Sequence, residues 1–293
     1  MNGFDNELYG PIIKVIGIGK GGLCALNKII DAKLTGLDYI AFDKNGENLT
    51  DSKVSNNFVV ADKSDDEIDN WLGNLLENTD LLFILADIGC EFASTYAERI
   101  ATAAKRKNIS LSVTIVSKNS ARNNSNSIEK LSEVSDSLIV IDNNGLIKDN
   151  QNEISIEKSY DLAAEKMKDA VEGISQIITV QDLIGVDFAD VKNVLKDSKN
   201  IHFVSCCSEN TEMAATKAKE ELLKADANII EKALITIKSG NEHLGLSELN
   251  KGLAIIRDIA KENSDIIFGI NRCNEKPWQN QVKFSIVAVI SRL

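Results

Sequence analysis

The first half of this chain alternates short apolar runs with amphipathic stretches, and that alternation leaves few folds open. Residues 12–18 read as a buried strand, followed by a glycine turn and a helix over 23–33. Strands are expected at 39–42, 58–60, 80–86, 111–116 and 138–141, with helices at 65–77 and 91–107. Within 65–77, Ile68, Trp71, Leu72, Leu75 and Leu76 fall on one helical face. Strands separated by helices are not joined by tight hairpins, so they pair in parallel with helices on both faces of the sheet. The polar run 117–127, SKNSARNNSNS, reads as a mobile surface loop.

A long helical pattern covers 154–178, where Leu162, Ala163, Met167, Ala170, Val171, Ile174 and Ile178 recur at helix spacing. Such a helix would be about 38 Å long, enough to bridge two domains. Beyond it the grammar changes. A helix begins near Asp187, followed by a strand at 201–206, a helix at 211–224 and a strand at 233–237. A helix at 246–261 and strands at 266–270 and 282–290 complete the chain. Two late strands without a helix between them point to a mixed sheet. The expected fold class is α/β: a Rossmann-like parallel-sheet N-terminal domain, a long central helix, and a smaller α+β C-terminal domain with a mixed sheet. The expected boundaries are 1–153, 154–180 and 181–293.

Composition narrows the setting. At 293 residues and 43% hydrophobic, the chain can bury a large core, yet no apolar run nears the roughly 20 residues of a spanning helix. No direct membrane insertion is expected, and residues 1–10, with Asp5 and Glu7, do not read as a secretory signal. Five cysteines lack C-x-x-C spacing, although Cys206 and Cys207 are adjacent, and the histidines number two, His202 and His243. That excludes a zinc pattern, predicts no metal site and fits a reducing cytoplasm. His202 reads as a packed strand residue, His243 as loop, and no nucleophile–histidine–acid set is present. The net charge of -11 argues against nucleic acid as a partner. The cluster Lys105, Arg106 and Lys107 ends a predicted helix, where it either complements the helix dipole or forms a local basic patch.

Gly17-Ile18-Gly19-Lys20-Gly21-Gly22 satisfies G-x-G-x-x-G between a strand and a helix. Glycines there let the backbone turn tightly and let a phosphate approach the helix N-terminus. Asp43 closes the next strand, about where a dinucleotide fold carries its ribose-binding acid. An NAD-binding Rossmann oxidoreductase and a ligand-free tight turn both fit these residues.

Later stretches resemble the FtsZ/tubulin superfamily. Residues 14–30, KVIGIGKGGLCALNKII, are similar to the family's first strand, glycine loop and helix. Residues 36–43, GLDYIAFD, resemble the segment leading to its third nucleotide loop, and 80–86, DLLFILA, the strand before the tubulin signature. Residues 170–195, AVEGISQIITVQDLIGVDFADVKNVL, resemble the end of the central helix and the loop that reaches the next subunit's nucleotide. IIFG at 266–269 fits a late family strand.

The resemblance implies a bacterial, cytoplasmic, cell-division type of cytoskeletal GTPase. Its partners would be itself, head to tail in a filament, and other FtsZ-type proteins. Its cofactors would be GTP or GDP, with Mg²⁺ only alongside nucleotide. The implied nucleotide residues are Gly19, Lys20, Gly21, Gly22, Cys24, Asp43, Gly89, Ser94, Thr95 and Tyr160, and the implied catalytic acids are Asp187 and Asp190. Those acids also suit a helix N-cap and first turn without chemistry. The family's G-G-G-T-G-T-G signature aligns with Gly89-Cys90-Glu91-Phe92-Ala93-Ser94-Thr95, where Glu91 and Phe92 work against a phosphate wrap. Glu91 either points away or serves as a helix N-terminal charge. Cys24 replaces a nucleotide-contacting asparagine of the family and Ala164 the residue that reads the base edge, Gly185 replaces an asparagine, and Asn143 and Asn144 loosely resemble the sixth loop. The expected function is therefore a self-assembling cytoskeletal protein with weakened or lost GTP binding and hydrolysis. A non-catalytic assembly scaffold of the same fold is the alternative. The chain stops after its last strand, so recruitment through a terminal peptide is not expected.

Overall fold

The computed structural model describes residues 10–118, 125–143, 155–180, 186–225, 227, 229–240, 244–273, 278 and 280–291. In chain order the first part contains β1 (Ile13–Ile18), α1 (Gly19–Asp31), β2 (Leu37–Asp43), β3 (Asn56–Val59), α2 (Asp65–Leu75), β4 (Leu81–Asp87) and α3 (Glu91–Arg106). It continues with β5 (Leu111–Lys118), α4 (Ser125–Val134), β6 (Ser137–Asp142) and the long α5 (Ile156–Thr179). The rest comprises α6 (Phe188–Leu195), β7 (Ser198–Ser208), α7 (Thr211–Lys224), β8 (Ile230–Ser239), α8 (Leu246–Arg257), β9 (Ala260–Arg272) and β10 (Val282–Ile290).

The ten strands form one sheet in the order β3-β2-β1-β4-β5-β6-β7-β10-β8-β9. Pairing is parallel from β3 to β7, while β10 runs antiparallel to both β7 and β8, which makes the far end a mixed sheet. The two ends meet at a thin seam. There β6 and β7 share the pairs Ser137↔Ser198 and Ile139↔Ile201 across a register shift. Asp197 and Asn200, beside that seam, hold left-handed backbone at φ 54° and 52°.

Alternation along the strands places Val15, Phe83 and Val113 under α5, and Ile16, Ile84 and Phe42 under α2 and α3. A third core, including Leu222, Leu253 and Phe284, lies beneath α7 and α8. Toward the first half α5 presents Ala164, Met167, Val171 and Ile174. Toward the second half it packs Ile177 on Gly269 and adds charge: Lys283 Nζ lies 2.5 Å from Asp169 and 2.9 Å from Glu172. Lys238 and Lys168 extend the cluster at 2.7 Å from Glu172 and Asp169 respectively. No helix among the described residues is long and apolar enough to cross a membrane.

Three local expectations change. The helix expected from Leu23 begins at Gly19, because the glycines of its first turn let it lie directly against β4: a Cβ on Gly22 would collide with the carbonyl oxygen of Leu85. The run 117–127 is not all loop, since α4 starts at Ser125; residues 119–124 lie outside the described residues. The helix expected over 246–261 stops at Arg257, and Ala260 and Lys261 belong to the edge strand β9. There, pairing with β8 overrides the helix propensity of an Ala-Lys-Glu run. Lys105 and Arg106 do end α3, and Lys105 donates to the Glu133 carbonyl.

Candidate functional site

Parallel register aligns the strand ends that carry the glycine-rich segments. Ile18 pairs with Phe42 on one side and Ala86 on the other. Gly19, Asp43 and Asp87, each one residue further on, therefore stand in a row along one sheet edge. Asp87 in turn pairs with Ser117 of β5, and Asn143 follows the end of β6 on the same edge.

Gly19 holds φ +60°, a conformation that strains any other residue. Gly21 is needed for a different reason, since a Cβ there would stand 2.7 Å from the Cβ of Asp87. Asp87 is buried, and its Oδ1 accepts a hydrogen bond from the Gly89 N–H at 3.0 Å. This carboxylate, which the sequence reading passed over, sits between the first turn of α1 and the entry to α3.

The other expected residues divide into groups. Asp43 is buried and serves its own loop: its carboxylate accepts from the Gly46 and Asn48 backbone N–H groups at 3.1 and 3.3 Å and from Asn48 Nδ2 at 2.9 Å. Lys20 is exposed, with Nζ 6.0 Å from the centre of the Tyr160 ring on α5. Cys24 packs half-buried against the core, and burial pushes its thiol pKa up. Ala164 is buried, and Lys28 bridges α1 to Asp161 and Glu165 of α5 at 2.7 and 3.3 Å. The seam between α1 and α5 is thus filled by the chain's own side chains.

At the entry to α3, Glu91 is exposed and Ser94 half-buried, the Ser94 N–H bonding the Cys90 carbonyl at 3.0 Å. Thr95 lines a groove of about 560 Å³ with Asp69, Arg99 and Lys130. Phe92 stands beside the glycine loop, its Cδ1 3.8 Å from where a Cβ on Gly19 would lie. Its ring joins an aromatic cluster with Phe42 at 6.0 Å and Tyr96 at 4.8 Å. Asn143 is buried, and its side-chain oxygen has no hydrogen-bond partner among the described residues. His202 is half-buried on β7, while His243, Asn144 and Gly185 lie outside the described residues.

Asp187 and Asp190 are nowhere near this row. Asp187 caps α6, its Oδ1 accepting the Asp190 N–H at 2.9 Å. The C-terminal end of α5 has reached the opposite sheet edge: a Cβ on Gly36, just before β2, would lie 3.4 Å from Thr179 Cγ2. Lys196, just beyond α6, donates to the Ser110 carbonyl at the entry to β5. The 24 residues of α5 separate the two ends by roughly 36 Å.

No protein-family model matches the sequence. Solved structures do match. A variant of FtsZ from M. jannaschii superposes with a TM-score of 0.84 at 21% identity, covering 97% of this chain and 92% of that one. An empty FtsZ dimer from the same organism gives 0.83 at 21% identity, with 96% and 89% covered. This chain has the FtsZ/tubulin fold. A GTPγS-bound protofilament of CetZ2 from Haloferax volcanii matches at 0.72 and 14% identity, with 96% and 93% covered.

For an FtsZ/tubulin fold, the fit to a nucleotide can be tested residue by residue. The backbone at Gly19–Gly22 is bare enough to face phosphate, and the orphaned Asn143 oxygen calls for a donor such as a ribose hydroxyl or a base N–H. The Gly89 N–H is already committed to a carboxylate, and Glu91 adds a second negative charge at the first turn of α3.

Proposed function

We propose that this chain is a self-assembling cytoskeletal protein that stacks head to tail, with GTP binding and hydrolysis weakened or lost. One observation carries the assembly half of this reading: the glycine row and the Asp187–Asp190 pair occupy opposite ends of the molecule. Neither end completes the other within one subunit, and stacking would bring them together. The FtsZ dimer and the CetZ2 protofilament are assemblies of the same fold, which supports the reading. Asp187 and Asp190 are the residues we would assign to water positioning if hydrolysis survives. The weakened-nucleotide half rests on Glu91, on Ala164 and on the filled seam between α1 and α5.

The non-catalytic scaffold remains the second reading, favoured by the N-cap bond that already employs Asp187. The dinucleotide oxidoreductase is weaker, because Asp43 spends its oxygens on Gly46 and Asn48 rather than offering them to a ribose. We take 1–153, 154–180 and 181–293 as the functional units, place the protein in the cytoplasm, and add other FtsZ-type proteins as candidate partners.

Sedimentation and negative-stain electron microscopy of the full chain test the reading. Polymers are expected in nucleotide-free buffer, with GTP turnover near background. A chain that stays monomeric with and without GTP and Mg²⁺ would remove the assembly assignment.

A further inference from the structure

We propose that the Asp87 carboxylate is the resident anion of the glycine cradle, standing in for a nucleotide phosphate and keeping nucleotide out. The inference rests on the reading above, that this edge is a nucleotide-type site, and it names the residue that sets what the site accepts.

Three observations converge on Asp87. It ends β4 one residue beyond Ala86, the partner of Ile18, and so stands level with Gly19 beside the first turn of α1. The room it uses is the room that Gly21 leaves, since a Cβ at Gly21 would fall 2.7 Å from the Asp87 Cβ. Its Oδ1 takes the Gly89 N–H at 3.0 Å, and a Cβ on Gly89 would come within 3.1 Å of that same oxygen. Both glycines are therefore fitted to this side chain. The carboxylate is buried, so its charge is less screened than that of Glu91 at the surface.

The chemistry follows from charge. A phosphate entering a cradle of helix N-termini gains from bare N–H groups and from the dipoles. Here a fixed carboxylate already holds one N–H, and it repels any anion brought within about 4 Å, weakening binding on the order of a hundredfold or more. The same bond ties the entry of α3 without any ligand. The loop is thereby held in place permanently, and assembly is released from nucleotide control.

Asp87→Asn separates this role from a purely structural one. The amide keeps an oxygen for the Gly89 N–H, so the turn survives, and only the charge is lost. Calorimetric titration of the full chain with GTP, and with inorganic pyrophosphate to isolate the cradle from base contacts, should show no binding by wild type at millimolar ligand. Asp87→Asn and Asp87→Gly should both gain affinity, by at least about tenfold, with the wild-type melting temperature kept in Asp87→Asn. Equal affinities in wild type and Asp87→Asn would overturn the proposal and leave Asp87 as a turn former. GTP-dependent assembly of wild type would overturn it too, while sparing the filament reading. Monomeric wild type together with tighter ligand binding by Asp87→Asn would uphold the proposal and remove the filament reading instead.

Discussion

The helix α5 packs apolar side chains against both halves of the molecule, but only toward the second does it bury a charged cluster. Against β1, β4 and β5 it lays down Ala164, Met167, Val171 and Ile174, an apolar stripe whose attraction has no preferred direction. Against β8 and β10 it sets Asp169 and Glu172 between Lys283, Lys238 and Lys168. Charges taken out of water must each find a partner at a fixed distance, so this second contact admits one register and few neighbours of it. The difference teaches that α5 is held to the second half by a buried charged key in addition to packing, and to the first by packing and a half-exposed ion pair. A displacement of the helix relative to β1 costs contact area; the same displacement relative to β10 strands buried charge.

The largest expected effect comes from removing the key. Lys283→Met should lower unfolding stability by about 3–5 kcal/mol, because Asp169 and Glu172 stay buried without their shared partner. Denaturant unfolding measures it, and a loss under about 1 kcal/mol would show that the charged contact does not set the register.

The pH dependence should carry the same signature more gently. Burial works to raise the pKa of both Asp169 and Glu172, but Lys283, helped by Lys168 at one and Lys238 at the other, pulls each below its ordinary range. Carboxylates with lowered folded pKa values add stability that is complete above their unfolded values of about 4 and lost as pH falls through the folded ones. Lys283 behaves oppositely: burial opposes its charge, Asp169 and Glu172 more than restore it, and its pKa is raised. Its contribution is complete below an unfolded value of about 10.4 and lost as pH climbs past the folded one. Melting temperature should therefore hold level between these limits and fall beyond each. An acid limb of the same depth in Lys283→Met would break the link to this cluster.

The smallest effect is expected where α5 touches α1. Lys28 and Asp161 leave 24% and 45% of their side chains exposed, so water and salt screen the pair. Lys28→Ala should cost about 0.2–1 kcal/mol, and less at high salt. A cost matching that of Lys283→Met, unchanged by salt, would erase the contrast between the two faces.

The sequence shows the apolar half of this contrast and hides the charged half. The stripe on α5 repeats at helix spacing, and α7 and β10 are read with the bounds they have in the structure. Lys283 is the single charge inside the mostly apolar run VKFSIVAVI. Its partners lie more than a hundred positions away, and no local rule connects them. The candidate site divides likewise. Gly19–Gly22 announce themselves by composition, and the need for Gly21 becomes visible only when β4 places Asp87 against it. Asp43 sits where a ribose acid belongs by count, yet the residues that claim its oxygens come from its own loop. Phe92 looks obstructive in a glycine signature, and the fold places it both in an aromatic cluster and beside Gly19. Helix α4 escaped notice because Ile128, Leu131 and Val134 give it a thin stripe after a polar run.

The margins of the sheet bear on how such a molecule survives being crowded. At one rim β3 is four residues long and shows Asn56 and Asn57 to solvent. At the other, β9 loops out of register with β8 where Lys261, Glu262, Asn263 and Asp265 are exposed. Neither rim offers a further strand a flat, greasy template. Edge-to-edge strand pairing between crowded copies is thereby disfavoured at both rims.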